Sequence, residues 1–336
     1  MAIAPVPLSV LDLATVSEGS TSREALRNTL DLARHVESLG YHRFWVAEHH
    51  NMPGVASSAP AVLIGHVATA TEHIRVGSGG VMLPNHAPLV VAEQFGMLEA
   101  LHPGRIDLGL GRAPGTDPVT AHALRRSPAP LSADDFPEQL NELVDYFTPG
   151  QRRPITAVPA AGNRPPVWLL GSSGYSAQLA GMLGLPFAFA HHFSAENTLP
   201  ALRLYRQNFR PSAELAKPYA LVAASVLAAD TDEEARFLAG SGALSFLRLR
   251  SGRPGLVPTP EEAAAYDYSP LERKFVDDRL ANQIIGSPET VERGIEKLLG
   301  ETEADELMVV TMTHDPAARK HSFSLVARLR GSSGAD

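Results

Sequence analysis

The chain has 336 residues, with 29 Lys and Arg against 37 Asp and Glu, a formal net charge of −8. That balance argues against general binding to nucleic acid or to an anionic membrane surface. Hydrophobic residues make up 44% of the chain, enough for a large core. The absence of cysteine excludes disulfides, thiolate metal sites, iron–sulfur clusters and Cys nucleophiles. No basic residue precedes Arg23 and no apolar run reaches ~18 residues, so a cytoplasmic protein without a membrane span is expected.

Short apolar runs alternate with amphipathic segments from end to end. Residues 7–13 read as a strand, and 22–39 as a helix with a 3.6-residue apolar period that Gly40 ends. Strands at 42–48, 74–83 and 105–111 follow, with helices at 59–72 and 87–101 between them. Residues 112–166 then break the rhythm, with one helix expected at 133–147. The alternation resumes with strands at 166–171, 186–192 and 217–229, each followed by a helix (173–183, 195–209 and 231–248). A second irregular stretch spans 251–269, and helices are expected at 270–281 and 288–299. The latter has Ser287 as N-cap and Pro288 at its first position. A last strand, 305–313, and a last helix, 317–329, complete the series.

The count is eight βα units whose strands are continuously apolar, as strands buried on both faces must be. The fold class is α/β, a (β/α)8 TIM barrel with insertions after strands 4 and 7. It would form one domain over 1–330, followed by a disordered tail, 331–336. An open doubly wound sheet would need a glycine fingerprint after the first strand, and none is there. Gly109-Leu110-Gly111 has Pro114 at the third glycine position and is rejected as such a fingerprint.

Barrel active sites gather where strands end. Glu48, His49 and His50 follow the second strand, and Leu83 to His86 the third. Arg112 and Asp117 follow the fourth, Ser172 to Tyr175 the fifth, and His191 and His192 the sixth. Adjacent His residues point to opposite sides, so at most one of the pair at 49–50 is expected to face the mouth. A structural His bonded to backbone is the plain alternative. Ser172, Ser173 and Gly174 open a helix, where free amides and hydroxyls cradle anions, though ordinary N-capping would use the same residues. Arg112, ending an apolar glycine-rich strand, calls for an anionic partner. Gly79 and Gly80 within a strand suggest a bulge or close approach of a ligand or of backbone.

EHH (48–50), VGSGGVMLPNHAP (76–88) and HPGRIDLGLGRAPGTDP (102–118) together resemble the bacterial-luciferase-like flavin monooxygenases, as do 171–193 and 284–299. The likeness runs from about residue 7 to residue 329 and is closest to the single-chain luciferase-family oxidoreductases. It implies a TIM barrel that binds reduced FMN, supplied by a separate NAD(P)H:flavin reductase, and uses O2 on a small organic substrate such as an aldehyde. It implies His49 as the catalytic imidazole, and Arg112 with Ser172, Ser173, Gly174 and Tyr175 as the phosphate site. It also implies a cis peptide at Gly79–Gly80 under the flavin ring, and a homodimer through the second and third helices. Those helices are apolar on more than one face, which tight packing onto the barrel would also explain. Two departures weigh against light emission: Gly111 and Gly171 stand where luciferase has Cys and Glu. The apolar strand ends Val81, Met82, Leu83, Leu108 and Leu110 are expected to keep water from the ring, and 251–269 to close as a lid.

Three rival readings stay open. One is a metal-dependent barrel hydrolase using His49, His191 and Glu48 or Asp117, although no paired HxH spacing supports a metal set. The others are a deazaflavin-dependent oxidoreductase and an FMN-binding protein without turnover.

Overall fold

The computed structural model describes residues 6–113, 117–125, 135–150 and 154–329. The expected tail and the first two residues of the helix expected at 133–147 lie outside them. The strands are β1 (Leu8–Asp12), β2 (Arg43–Val46), β3 (Arg75–Ser78), β4 (Val81–Met82), β5 (Ile106–Gly111), β6 (Val167–Gly171), β7 (Phe187–Phe189), β8 (Ala220–Ala228), β9 (Ile284–Gly286) and β10 (Glu306–Val310). All pair in parallel, and β10 bonds both β1 and β8, which closes an eight-membered ring in which β3 and β4 form one broken strand. This is the (β/α)8 barrel that the sequence implied.

The helices are α1 (Ser22–Ser38), α2 (Pro60–Ala70), α3 (Pro88–Leu101), α4 (Pro118–Arg125), α5 (Phe136–Phe147), α6 (Gly174–Leu183), α7 (Thr198–Asn208), α8 (Asp232–Arg250), α9 (Pro260–Ala265), α10 (Pro270–Ala281), α11 (Pro288–Thr302) and α12 (Pro316–Arg328). Local chemistry sets their ends. Thr21 and Glu24 form a reciprocal capping box on α1, and Ser269 and Glu272 do the same on α10. Gly40, at φ +77°, turns the chain out of α1 in a conformation that a β-carbon disfavours.

The alternation along each strand feeds two cores. Val10, Phe44 and Val46 point outward into the shell between barrel and helices. Their neighbours Leu11 and Trp45 point inward, where they meet Trp168, Leu221 and Met308. Both faces are apolar, so the strands read as unbroken apolar runs.

At the strand starts the barrel floor is closed by charge. Arg43 reaches Asp107 at 2.8 Å and Glu306 at 3.0 Å, and Arg75 reaches Asp107 at 2.6 Å. The indole of Trp45 donates to Asp107 and the hydroxyl of Tyr219 to Glu306. The Arg43 guanidinium also lies 4.8 Å over the Trp168 ring. Asp107 and Glu306 are wholly buried, and each has several partners, as buried charge requires.

Three elements differ from expectation. The strand expected at 74–83 is interrupted by a cis peptide at Gly79–Gly80, which divides β3 from β4. Residues 284–286 form β9 beside the last three residues of β8, because β8 overruns the barrel and its exposed backbone takes a partner there. The irregular stretches contain short helices, α4 in the first and α9 in the second.

Candidate active site

The strand ends open into a cavity of about 810 Å³. Its walls include His49, Gly79, Gly80, Arg112, Ser172 and Ser173, so four segments far apart in sequence meet in one place. Gly174 is the first residue of α6, and Tyr175 carries the Arg112 guanidinium 4.1 Å over its ring. All eight residues marked in the sequence therefore sit at one end of the barrel.

The Arg112 side chain has no carboxylate partner among the described residues, in contrast to the arginines of the floor. Ser173 is the N-cap of α6, yet its side chain makes no capping bond. The first amides of α6 thus face the cavity rim beside an arginine and two serine hydroxyls. A helix N-terminus combined with a guanidinium is an anion site in its chemistry. Gly80 lies so close to β5 that a β-carbon there would stand 2.8 Å from the Gly109 carbonyl oxygen. A side chain is excluded at that point, which leaves a flat floor at Gly79–Gly80.

Glu48 is fully buried. Its Oε1 accepts from Nε2 of His50 and Nε2 of His86, each at 2.8 Å, and its Oε2 accepts from the Met82 amide at 3.0 Å. Burial pushes this carboxyl up, but the His86, His50 and Met82 bonds outweigh it and hold the group below its ordinary value. The Met82 bond ties the end of β2 to β4, directly after the Gly79–Gly80 floor. His49 departs from this clamp. Its amide bonds the Ser57 carbonyl at 3.0 Å, while its buried Nδ1 has no hydrogen-bond partner. Burial lowers its pKa, with Glu48 opposing, which favours the neutral ring.

Several expectations are corrected here. His192 rather than His191 lines the cavity; His191 bonds Thr198 Oγ1 at 2.8 Å. His192 Nδ1 donates to the Ala223 carbonyl at 2.9 Å, and burial takes its pKa down to about 4. Asp117 is committed to the start of α4, where it accepts from the Val119 and Thr120 amides, and to Asn51. With Glu48 clamped as well, the acids of the hydrolase reading are occupied, and no group of three His, Asp or Glu able to hold a metal occurs among the described residues.

Of the apolar strand ends expected around the ring, only Met82 lines the cavity. Val81, Leu83, Leu108 and Leu110 point outward to the helices, and Leu11, Trp45, Leu170 and Met308 form the wall instead. Residues 251–269 contribute Gly252 and Pro254 to the wall. They are anchored to the loop after β1 by bonds between Val257 and Val16 and between Glu18 and Val257, each 2.9 Å.

The sequence missed the role of Glu48 as a clamp and of His192 as a wall residue. The i, i+2 spacing of Glu48 and His50 was the available signal for the first. Of the two departures from luciferase, Gly171 is sterically enforced, whereas Gly111 faces only the flexible end of Met82. A β-carbon at Gly171 would stand 2.7 Å from that of Ser176, and one at Gly111 would stand 3.0 Å from Met82 Sδ.

A closed parallel barrel ringed by helices, with an arginine and a helix N-terminus converging on its mouth, is the architecture of the TIM-barrel proteins. Within that class, the chain belongs to the luciferase-like monooxygenase family, whose sequence profile matches residues 6–305. It is 55% identical over 322 residues to the uncharacterized protein YvbT of Bacillus subtilis, covering 95% of each chain. It is 52% identical over 321 residues to a luciferase-like monooxygenase of Escherichia coli K12, covering 95% of this chain and 96% of that one. The solved structure of apo-MsnO8 superposes with a TM-score of 0.90 at 39% identity, over 97% of this chain and 98% of the other. The fold alone is shared with the oxygenating constituent of 3,6-diketocamphane monooxygenase from Pseudomonas putida, solved with FMN. There the TM-score is 0.73 at 19% identity, over 98% of each chain. An F420-dependent secondary alcohol dehydrogenase shares it too, at a TM-score of 0.69 and 16% identity, over 97% of this chain and 99% of that one. No helix among the described residues is long and apolar enough to cross a membrane.

Proposed function

We propose that this chain is a monooxygenase that uses reduced FMN and O2 to oxidise a small organic substrate, with the reduced flavin supplied by a separate NAD(P)H-dependent reductase. The observation that carries this reading is Arg112, stacked on Tyr175 at the N-terminus of α6 and lacking an acidic partner among the described residues, at the rim of a cavity large enough for a flavin. The residues fit the group. A phosphate would complete Arg112, Ser172, Ser173 and the α6 amides, and an isoalloxazine ring needs a flat, apolar bed such as Gly79–Gly80 offers beside Leu11 and Trp45.

Bound reduced flavin supplies the electrons that activate dioxygen, so that one oxygen atom goes to the substrate and the other to water. The chain supplies position, dryness and a proton path. Arg112 and the serines fix the phosphate end. The apolar wall excludes water, which would otherwise drain off the reactive oxygen. Glu48, through His50, His86 and the Met82 amide, holds the strand end that presents His49. His49, whose side chain lines the cavity and whose burial favours the neutral ring, takes up or delivers a proton there.

The test is an anaerobic titration with reduced FMN, read by quenching of the fluorescence of the chain's two tryptophans. Trp45 lines the cavity, and Trp168 lies 5.2 Å from it, ring centroid to ring centroid. The expected result is saturable quenching that weakens by about tenfold or more in Arg112→Gln. Absence of binding by the unsubstituted chain overturns the flavin reading.

The apolar faces of α2 and α3 are only half used by the barrel. Val62, Val90, Met97 and Leu101 remain exposed on them, which supports a homodimer through these helices. Light scattering at the mass of one chain would rule it out.

A further inference from the structure

A second chamber, of about 110 Å³, adjoins the cavity and shares His49, Met52, His192, Phe193 and Leu249 with it. Beyond that shared wall its lining is mostly apolar, with Leu227, Phe246, Val310 and Met312 among its residues. Neither Asp nor Glu lines it, and its one permanent cation is Arg279 of α10. The Arg279 guanidinium carbon lies 3.5 Å from the centroid of the Phe246 ring. Its Nε is buried without a hydrogen-bond acceptor. No acidic group pairs with it among the described residues, and burial, unopposed, pushes its pKa down to about 10.

The two arginines buried in the core are matched by carboxylates. Arg43 has Asp107 and Glu306, and Arg319 has Asp12 at 2.6 Å. The Arg279 side chain is half-buried, its Nε is cut off from solvent, and a ring face rather than a carboxylate lies beside it, so an anionic oxygen arriving at its remaining N–H groups would offset part of that desolvation. Its fork of N–H groups matches a carboxylate in particular. The chamber has the volume of roughly three or four water molecules at ~30 Å³ each, which suits a short apolar body.

We infer that the substrate is a small carboxylate: its carboxylate pairs with Arg279, its apolar body fills the chamber against Phe246 and Met312, and its far end emerges between His49 and His192 into the main cavity. This deepens the monooxygenase reading and rests on it for the word substrate. The binding site itself stands on Arg279 and the chamber.

The experiment is isothermal titration calorimetry of the full chain with hexanoate and with hexanamide, which differ in charge but hardly in shape. It is run with and without FMN, on the unsubstituted chain, Arg279→Met and Arg279→Lys. Hexanoate is expected to bind at least about tenfold more tightly than hexanamide, and to lose about tenfold or more in affinity in Arg279→Met. Arg279→Lys should keep part of that affinity. Equal affinity for the two probes, absence of hexanoate binding, or an unchanged affinity in a folded Arg279→Met overturns the proposal. The comparison of acid and amide needs no variant, so it stands if Arg279→Met does not fold. FMN affinity, followed separately, should not change in either variant. Loss of flavin binding by the unsubstituted chain with hexanoate binding intact would refute the flavin reading and leave the carboxylate site standing.

Discussion

The two ends of the barrel handle polar groups in opposite ways. At the floor, Arg43, Arg75, Asp107 and Glu306 satisfy one another, with Trp45, Tyr219 and Ser9 taking up remaining bonds. At the mouth, Arg112 has no acidic partner among the described residues, His49 Nδ1 has no hydrogen bond, and the Ser173 hydroxyl caps nothing. The floor resembles a finished structure and the mouth a half-built one. Polar groups satisfied within the chain report on stability, whereas those left open in an apolar cavity report on a ligand.

That contrast can be broken from either end. The largest effect should come at the floor. Arg43→Met leaves Glu306 buried without its cation and Asp107 with Arg75 as its remaining cation. The expected loss is about 3–5 kcal/mol of unfolding free energy, read by urea denaturation. A loss under ~1 kcal/mol would show the network to be dispensable.

At the mouth the expected change is in rate rather than stability. His49→Ala should slow reoxidation of bound reduced FMN by dissolved oxygen about 100-fold in stopped flow, with flavin affinity within about twofold. Loss of flavin binding instead would make His49 a ligand of the cofactor. The smallest effect is in the pH profile of that rate. Burial holds the His49 pKa below the ordinary 6.5, so the neutral ring persists as the pH falls through that value. The acid limb should therefore inflect below pH 6.5 and be absent in His49→Ala. An inflection above 6.5 would mean that a carboxylate partner, not burial, dominates the ring.

Much of the fold was legible because it rests on period and punctuation. Strands buried on both faces show as apolar runs, and helix limits follow from residues such as Ser287, Pro288 and Gly40. The strands that escaped notice were those without a pattern of their own. β9 is three residues long and exists because β8 overruns the barrel. The break at Gly79–Gly80 was visible as a glycine pair, but its geometry came only through resemblance.

The candidate site was legible as a set of residue types at strand ends. Which side each residue faces was less so. Leu108 and Leu110 read as cavity wall yet point outward, because the phase of a strand apolar on both faces is hidden in its sequence. His191 and His192 were indistinguishable for the same reason, and a bond to Ala223 in the neighbouring strand marks His192 as the wall residue.

By itself, then, the amino-acid order determined the eight-fold alternation of strand and helix, the helix ends, and the exclusion of thiol chemistry. These depend on neighbours within a few residues, where periodicity and capping act. Only the tertiary structure decided that Glu48 is a clamp rather than an acid, that Arg43 is matched, and that Arg112 and Arg279 have no acidic partner among the described residues. Pairing of charges depends on distances between residues far apart in the chain, and barrel closure sets those distances.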